Sequence, residues 1–265
     1  MTINIEQLRS IHNTQTPIIA FASGKGGVGK TGMCLNTAAL LAKKGKRILV
    51  FDGDLGLGNV DVQLGLAPEK DLSHVMHGTA TLPEIITPTD KGFSVIPGRS
   101  GSEKLPFLDV LERRNILNAI RDISGMYDAV FLDIAAGVND EVLSFANFAD
   151  RTVLVVTPDP SSITDAYAVI KLLHTKYSKN NCEILVNQSG GEIEGKKTYE
   201  KMHMAAEKFL GIQVPLLGVI PHDRQYAMAV KMQELAMHSF PTCKAIERLE
   251  KVAETLLKQQ QTRAA

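Results

Sequence analysis

Short apolar segments recur along the chain, and each is followed by a longer segment with the periodicity of a helix. The apolar segments have the length of β-strands and are apolar on both strand faces, which is typical of a parallel sheet covered by helices. They lie at residues 18–22, 48–51, 93–96, 129–132, 153–156, 184–186 and 216–220. The alternation predicts a three-layer α/β sandwich around a mostly parallel sheet of roughly seven strands.

The helical segments and their ends define the domain organisation. Gly45 and Gly211 stand where a glycine would end a helix. Helical periodicity covers residues 33–44, 107–123, 140–149, 163–174 and 198–210, and surface loops are expected at 87–92, 97–105 and 188–197. Because no repeat or Gly/Ser/Pro-rich linker interrupts the pattern, we expect one α/β domain. We divide the chain into a flexible N-terminal segment (1–16), this domain (17–243) and a C-terminal amphipathic helix and tail (244–265).

Composition narrows the possible classes of protein. The chain has 265 residues, 44% of them hydrophobic and 22% charged, which is ordinary for a globular domain. Lys plus Arg and Asp plus Glu both total 29, so the formal net charge is +0 and no strong nucleic-acid binding is expected. The three cysteines are far apart, which indicates no disulfide framework. A polar N-terminus and strand-length apolar runs favour a cytoplasmic protein.

The segment after the first strand carries the strongest chemical signal. Ligands of parallel α/β sheets bind beyond the carboxyl ends of the strands. There the sequence fits GxxxxGK[ST], with a strand before it and a helix after it, as a phosphate-binding loop requires. Lys30 is expected to contact the β- and γ-phosphates and Thr31 to ligate Mg²⁺. The nucleotide-binding residues expected here are Gly24, Lys25, Gly26, Gly27, Val28, Gly29, Lys30, Thr31 and Gly32.

Acidic residues follow two other strands. Asp52 and Asp54 come directly after the second strand, and Asp133 follows the fourth, as in a Walker B strand. Carboxylates at this edge are suited to hold Mg²⁺ or to orient an attacking water, although capping turns also use aspartate. Gly137 is expected to offer its backbone N–H to the γ-phosphate.

Two later strand ends complete the predicted edge. Asn187 has an amide that could recognise the edge of a purine. Pro221, His222 and Asp223 follow the last strand. Each segment taken alone is better explained as an ordinary loop, so its interest rests on its position at the ligand edge.

These motifs resemble those of the MinD/ParA superfamily of deviant Walker ATPases. The match includes Lys25, the signature lysine of that superfamily, and the segments 52–61, 133–137, 160–167 and 219–223, so that it extends from about residue 18 to residue 245. Within the superfamily, residues 54–66 most resemble the flagellar-number regulators of the FlhG and FleN branch. Ile134 and His222 depart from the flagellar and MinD patterns respectively, which affects the subgroup and not the nucleotide site. Residues 3–9 lack the Asp-Gln pair of the activation motif that some flagellar regulators carry, so that role is not transferred.

The resemblance implies an ATP-dependent switch with ATP or ADP and Mg²⁺ as cofactors. Two copies would meet face to face on ATP, with Lys25 of each reaching the other's phosphates. Lys25, Lys30 and Asp54 would be catalytic, and Asp54 would orient or activate the attacking water. Thr31, Asp52 and Asp133 would support Mg²⁺, and Asn187, Pro221, His222 and Asp223 would line the adenine site. The implied partners are a second copy and a flagellar transcription activator or polar flagellar GTPase.

Two further features leave alternatives open. The apolar positions of residues 245–257 fall on one helical face, which favours packing on the sheet's own helices over a peripheral contact with the inner membrane. Lys43, Lys44, Lys46 and Arg47 cluster at a helix end, where cations are favourable without any DNA. The rival functions are a MinD-type division ATPase, a ParA-type DNA-segregation ATPase and a scaffold that holds nucleotide without hydrolysing it. Iron-sulfur carriers of this fold need a cysteine pair that the chain lacks at its strand ends.

Overall fold

Within the part of the chain that the structure describes, the sheet has eight strands. The computed structural model describes residues 16–55, 58, 60–98 and 108–258. The strands are β1 (Ile18–Ser23), β2 (Ile48–Gly53), β3 (Thr87–Pro88), β4 (Ser94–Ile96), β5 (Ala129–Ala136), β6 (Arg151–Val156), β7 (Cys182–Ser189) and β8 (Leu216–Pro221). Their order is β3-β4-β2-β5-β1-β6-β7-β8, and all neighbours are parallel except β3 and β4. The predicted three-layer parallel architecture is confirmed. The additional strand β3 has only two residues, too few to produce an apolar pattern.

Helices cover both faces of the sheet. They are α1 (Lys30–Lys43), α2 (Val60–Leu64), α3 (Leu72–Met76), α4 (Val110–Ser124), α5 (Asp140–Phe148), α6 (Pro160–Tyr177), α7 (Glu192–Leu210), α8 (Arg224–Lys231), α9 (Ala236–Ser239) and α10 (Lys244–Lys258), with a 3₁₀ turn at Leu82–Ile85. The expected loop at 188–197 is wrong at both ends, because β7 continues to Ser189 and α7 already begins at Glu192. Its first turns are polar except for Ile193, which is 75% exposed, so they show no apolar face.

The core has two halves, one on each face of the sheet. Phe51 packs against Phe145 in one half, and Phe21 packs against Phe131 in the other, with ring centroids 5.7 and 5.2 Å apart respectively. All residues of β1, β2 and β6 are buried. Fully burying a large apolar side chain contributes roughly 1.5–3 kcal/mol, so these strands fix the sheet and thereby the position of its carboxyl edge.

The C-terminal helix belongs to this core. The apolar face of α10 is buried against α1 and β8. A Cβ on Gly218 of β8 would lie 2.6 Å from Cγ2 of Val252, so the helix approaches the strand closely. At its far end, Arg151 donates from Nη1 to the carbonyl of Leu256 at 2.7 Å. The packed interpretation of residues 245–257 is therefore the arrangement in the structure. Among the described helices, none is long and apolar enough to cross a bilayer.

The predicted segments at the two chain ends lie partly outside the described residues. The segment 1–16 lies outside the described residues except for Thr16, as do residues 259–265 of the predicted tail. Gly45 and Gly211 both have the positive φ expected of glycines at helix ends, at 78° and 68°.

Candidate nucleotide-binding site

The loop between β1 and α1 is fixed by close backbone packing. A Cβ on Gly24 would lie 2.2 Å from the main-chain carbon of Asp165 in α6, so no side chain fits there. Gly27 and Gly29 have φ values of +81° and +88°, which L-residues with side chains rarely adopt. A Cβ on Gly29 would also lie 2.5 Å from Nδ2 of Asn187. The loop therefore lies between α6 and β7. Its last residues continue directly into the N-terminus of α1, whose first backbone N–H groups are suited to bind an anion.

The loop lysine forms a buried ion pair with the acidic residue of β5. Nζ of Lys30 lies 2.7 Å from Oδ1 of Asp133, and the two side chains are 8% and 2% exposed. The hydroxyl of Thr31 also hydrogen-bonds to Asp133, and Lys30 donates to Oγ1 of Thr31 at 3.3 Å. Burial raises the pKa of Asp133, while Lys30 opposes the rise. The structure thus brings together Lys30, Thr31 and Asp133, three of the residues that the sequence assigned to phosphate and metal binding.

Asp52 lies beside this pair and holds the segment that follows β2. Asp52 and Asp133 are register partners on adjacent strands. The carboxylate of Asp52 accepts the N–H groups of Asp54 at 3.2 Å and Val60 at 3.3 Å. Burial, followed by the negative charge of Asp133, raises the pKa of Asp52 to about 7. Asp52 is therefore partly a structural carboxylate, a role that its position in sequence did not distinguish from metal binding.

The donors at this position fit Mg²⁺. Thr31, Asp52 and Asp133 supply a hydroxyl and two carboxylates, which are hard oxygen ligands. Mg²⁺ is commonly bound through one or two carboxylates together with phosphate oxygens and water. Within the described ranges no group of three or more His, Cys, Asp or Glu forms a metal site by itself. The arrangement suits a metal that arrives with a nucleotide.

A cleft of about 810 Å³ opens at this edge of the sheet. It brings together most of the residues that the sequence singled out. Its predicted members are Gly26, Gly27, Val28, Gly29, Lys30, Thr31, Gly32, Asp54, Asn187, Pro221, His222 and Asp223. Segments from four strand ends thus meet in one cavity of a size that suits a cofactor.

A nucleotide-binding family model matches residues 19–236; its description is CobQ/CobB/MinD/ParA nucleotide binding domain. The chain belongs to this family. It is 37% identical over 250 residues to the antiactivator FleN of Pseudomonas aeruginosa, covering 94% of this chain and 89% of that protein. It is 32% identical over 265 residues to the flagellum site-determining protein YlxH of Helicobacter pylori, covering 99% and 90%.

Solved structures of MinD share the fold. The cell division ATPase MinD of Pyrococcus furiosus has a TM-score of 0.76 and 26% identity, covering 94% of this chain and 100% of that one. The septum site-determining protein MinD of Pyrococcus horikoshii, complexed with Mg-ADP, has a TM-score of 0.76 and 26% identity, covering 92% and 96%. The resemblance to the MinD/ParA superfamily is confirmed. The predicted cofactors, an adenine nucleotide and Mg²⁺, are those of a solved member of the family.

Two polar residues at the predicted adenine end of the cleft, Asn187 and Asp223, form hydrogen bonds with the loop and with two helices of this MinD/ParA member. Asn187 donates from Nδ2 to the carbonyl of Val28 at 2.8 Å and is 3% exposed. Asp223 accepts the N–H groups of Gln225 and Tyr226, which caps α8, and that of Ala245 at the start of α10. Their predicted contacts with adenine stay predictions, because the same side chains already hold the loop and two helices.

Gly137 is placed differently from its prediction. Its N–H donates to the carbonyl of Ser23 at 2.8 Å. The contact with a γ-phosphate would therefore require this hydrogen bond to break. The cause is the length of β5, which continues to Ala136. Ala136 is the register partner of Ser23 in β1, so the N–H of the next residue, Gly137, points at β1. Sequence periodicity placed the end of this strand earlier and could not show this pairing.

Lys25, the lysine on which the resemblance to deviant Walker ATPases rests, lies at the surface. Lys25 is 45% exposed, and its Nζ contacts Oγ of Ser161 at 2.6 Å and Oδ1 of Asp159 at 3.3 Å. Asp159 also caps α6 by accepting the N–H of Ser162. Hydrogen bonds from Ser161 and Thr157 hold the pKa of Asp159 below its ordinary value. Lys25 therefore contacts its own chain at the mouth of the site.

Several lining residues carry no sequence signal. Tyr226 is partly buried. Its hydroxyl would lie 2.6 Å from a Cβ on Gly32 and accepts a hydrogen bond from Nδ2 of Asn36 at 3.3 Å. Gln63, Gln188 and Lys231 also line the cleft. Gln188 has a φ of +56°, which is rare for a residue with a side chain. No motif marks these positions, because helix packing and a turn bring them to the edge.

Proposed function

We propose that the protein is a Mg-ATP-dependent, dimerising ATPase that regulates flagellar number or placement. The observation that carries the nucleotide part is the buried ion pair between Asp133 and Lys30, of which Lys30 lines the cleft. A charge-paired lysine at a helix N-terminus, beneath a loop of positive-φ glycines, is an arrangement for holding phosphate.

Different groups of the chain would bind the phosphates, the Mg²⁺ and the adenine of Mg-ATP. The amides of residues 24–32 and the dipole of α1 would hold the phosphate oxygens, and Lys30 would add a charge to the β- and γ-phosphates. Thr31, Asp133 and Asp52 would hold Mg²⁺, which supplies neutralisation of phosphate charge. Asn187, Pro221, His222 and Asp223 would line the adenine end.

Asp54 is proposed to orient the attacking water. It lines the cleft directly after β2, and Asp52 fixes its backbone through the hydrogen bond to the Asp54 N–H. A carboxylate so placed is suited to hold a water in line with the terminal phosphate. A scaffold that holds nucleotide without hydrolysis would release phosphate no faster than its Asp54→Ala variant.

Lys25 is proposed to serve a second copy of the chain. Its side chain lies at the mouth of the site, and its contacts with Asp159 and Ser161 are solvent-exposed, so exchanging them for a phosphate costs little. ATP would then join two copies, with Lys25 of each reaching the phosphates bound by the other. Hydrolysis would remove the shared phosphate contact and separate them.

The flagellar role rests on similarity to the antiactivator FleN and the flagellum site-determining protein YlxH. A flagellar transcription activator or a polar flagellar GTPase is the proposed partner of the ATP-bound dimer. The second candidate is a MinD-type division-site role, favoured by the likeness to solved MinD structures. A DNA-segregation role is disfavoured by the balanced charge of the chain.

Size-exclusion chromatography with light scattering tests the dimer. Asp54→Ala with Mg-ATP is expected to elute as a dimer, and Asp54→Ala with Lys25→Ala as a monomer. Lys46→Ala in the Asp54→Ala background is the matched control, because Lys46 is exposed and precedes β2 at the opposite edge of the sheet. Equal elution of all three variants would contradict the role of Lys25.

The cellular role is tested by deleting the gene in its host. Altered flagellar number or position, with normal division, supports the flagellar proposal. Minicells or misplaced septa with normal flagella would favour the division role instead. Complementation with the Lys25→Ala variant then shows whether the dimer is required in cells.

A further inference from the structure

Ser23 has a buried hydroxyl that lacks a hydrogen-bond partner. The residue ends β1, immediately before the phosphate loop, and is 1% exposed. Among the described side chains its Oγ is the only buried hydroxyl oxygen without a partner. A buried polar group without a partner is unfavourable, so such a group in a native fold calls for an explanation.

Other buried hydroxyls show the contrast. Thr37 donates to the carbonyl of Met33 at 2.6 Å, and Ser124 donates to that of Arg121 at 2.7 Å. Ser162 accepts the N–H of Thr157 at 3.0 Å. Burial of a hydroxyl in this protein is therefore normally accompanied by a hydrogen bond, and Ser23 departs from that rule at the wall of the cleft.

The surroundings of Ser23 indicate where its partner would come from. Ala136 of β5 is its register partner, and Ala135 lines the same cleft, so neither neighbouring side chain offers an acceptor. The nearby charged groups Lys30 and Asp133 are bonded to each other. Ser23 itself lines the cleft. In the strand order, β1 stands two places from β2, which Asp54 follows, and three places from β8, which ends at Pro221.

We infer that Ser23 binds the terminal phosphate of ATP by donating its hydroxyl to a γ-phosphate oxygen. The inference rests on the proposed nucleotide function and adds a phosphate ligand outside the loop motif. A hydrogen bond from a hydroxyl to an ionised oxygen is stronger than a neutral one, and it satisfies the unpartnered Oγ. It would separate ATP from ADP, because only ATP has a γ-phosphate to accept this hydrogen bond.

The backbone of Ser23 connects this contact to the loop after β5. The carbonyl of Ser23 accepts the N–H of Gly137 at 2.8 Å. One residue therefore contacts both the cleft, through its side chain, and Gly137, through its main chain. A shift of Ser23 on γ-phosphate binding is passed to Gly137 without an intermediate residue.

Titration calorimetry tests the inference with Mg-ADP and a Mg-bound non-hydrolysable ATP analogue. Ser23→Ala is expected to weaken binding of the analogue at least about 10-fold and to change binding of ADP less than about 2-fold, as for loss of a hydrogen bond to a charged group. Ser124→Ala, which removes a bonded hydroxyl at the end of α4, is expected to leave both affinities unchanged. If Ser23→Ala fails to fold, Ser23→Cys supplies the comparison, because a thiol is a weak donor of nearly the same shape.

The outcomes separate the inference from the function on which it rests. If the wild type binds both nucleotides and Ser23→Ala weakens them equally or not at all, the γ-phosphate contact is overturned while the nucleotide function stands. If the wild type binds neither nucleotide, the proposed function itself fails. Without nucleotide, Ser23→Ala is expected to melt no lower than the wild type, because the lost hydroxyl has no partner to lose.

Discussion

Nζ of Lys30 and Oδ1 of Asp133 are 2.7 Å apart, and burial makes each charge dependent on the other. Lys30→Met leaves the carboxylate of Asp133 buried without its cation. We therefore expect the free energy of unfolding to fall by about 3 kcal/mol at pH 7. Nucleotide binding should be lost as well. Urea denaturation and calorimetry measure the two effects.

A double variant separates these two effects. Lys30→Met with Asp133→Asn removes both charges and should recover most of the stability without recovering nucleotide binding. A single Lys30→Met variant as stable as the wild type would show that the pair is not buried in solution.

Two glycines of the same loop should respond differently to alanine. The Cβ of Gly24→Ala would meet the main chain of Asp165 at 2.2 Å, which no side-chain rotation relieves, whereas the space around Gly26 is open to 4 Å. We expect Gly24→Ala to destabilise by about 2–3 kcal/mol and to abolish nucleotide binding. Gly26→Ala should cost under about 1 kcal/mol. Thermal melts of both variants provide the comparison, and equal melting temperatures would contradict the close packing of Gly24 on α6.

The C-terminal helix should behave as part of the core. Leu249 is fully buried, so Leu249→Ala is expected to cost about 2–5 kcal/mol. Lys251→Ala on the exposed face of α10 is the control and should cost under about 0.5 kcal/mol. Denaturant unfolding of the full chain measures both.

The same packing predicts the behaviour of the protein with lipid. Flotation with anionic phospholipid vesicles should leave the wild type unbound, because release of α10 would expose its apolar face and break the Arg151 contact with Leu256. Flotation that Leu249→Asp abolishes would instead show that the helix leaves the core.

Asp52 should make the stability depend on pH. Its pKa is about 7 in the fold and near 3.8 when unfolded, so the native state holds the additional proton between these values. Stability then falls as pH rises through that window, by about 2.5 kcal/mol between pH 5 and pH 8. Asp133 and Glu141 also have raised pKa values, so they add to the pH dependence of stability. The contribution of Asp52 is therefore the difference in pH dependence between the wild type and a variant without this carboxyl group.

Asp52→Asn supplies that difference. The variant should reduce the slope of the free energy of unfolding against pH. It should also lower stability at pH 5, since one of the N–H groups of Asp54 and Val60 loses its acceptor. Urea titrations without Mg²⁺ at several pH values provide the test. An unchanged slope would assign the proton to another group.

Most elements of the fold could be predicted because apolar strands and amphipathic helices are local patterns. The phosphate loop was equally accessible, since glycines, Lys30 and Thr31 are consecutive in the chain. Other boundaries were not accessible, among them the end of β5, which continues to Ala136. The strand β3 is too short for a pattern. The first turns of α7 lack an apolar face, because the residue that lies close to Val219 there is Gly195, which has no side chain.

The roles of several site residues depended on long-range geometry. Lys25 was recognised by its place in the loop, but its contact with Ser161 joins residues far apart in the chain. Asn187 was chosen for its position at a strand end, and only the structure shows that its amide holds Val28. Lining residues such as Tyr226 reach the cleft from helices that carry no motif.

The sequence by itself determined the layered α/β fold, the phosphate loop and the acids at the strand ends, because spacing along the chain and strand direction fix these features. Only the tertiary structure decided that Lys30 pairs with Asp133, that Gly137 donates to Ser23 and that α10 packs into the core. Such contacts depend on distances between strands and helices that are remote in the chain. Whether a polar group is satisfied or exposed follows from those distances and not from its neighbours in sequence.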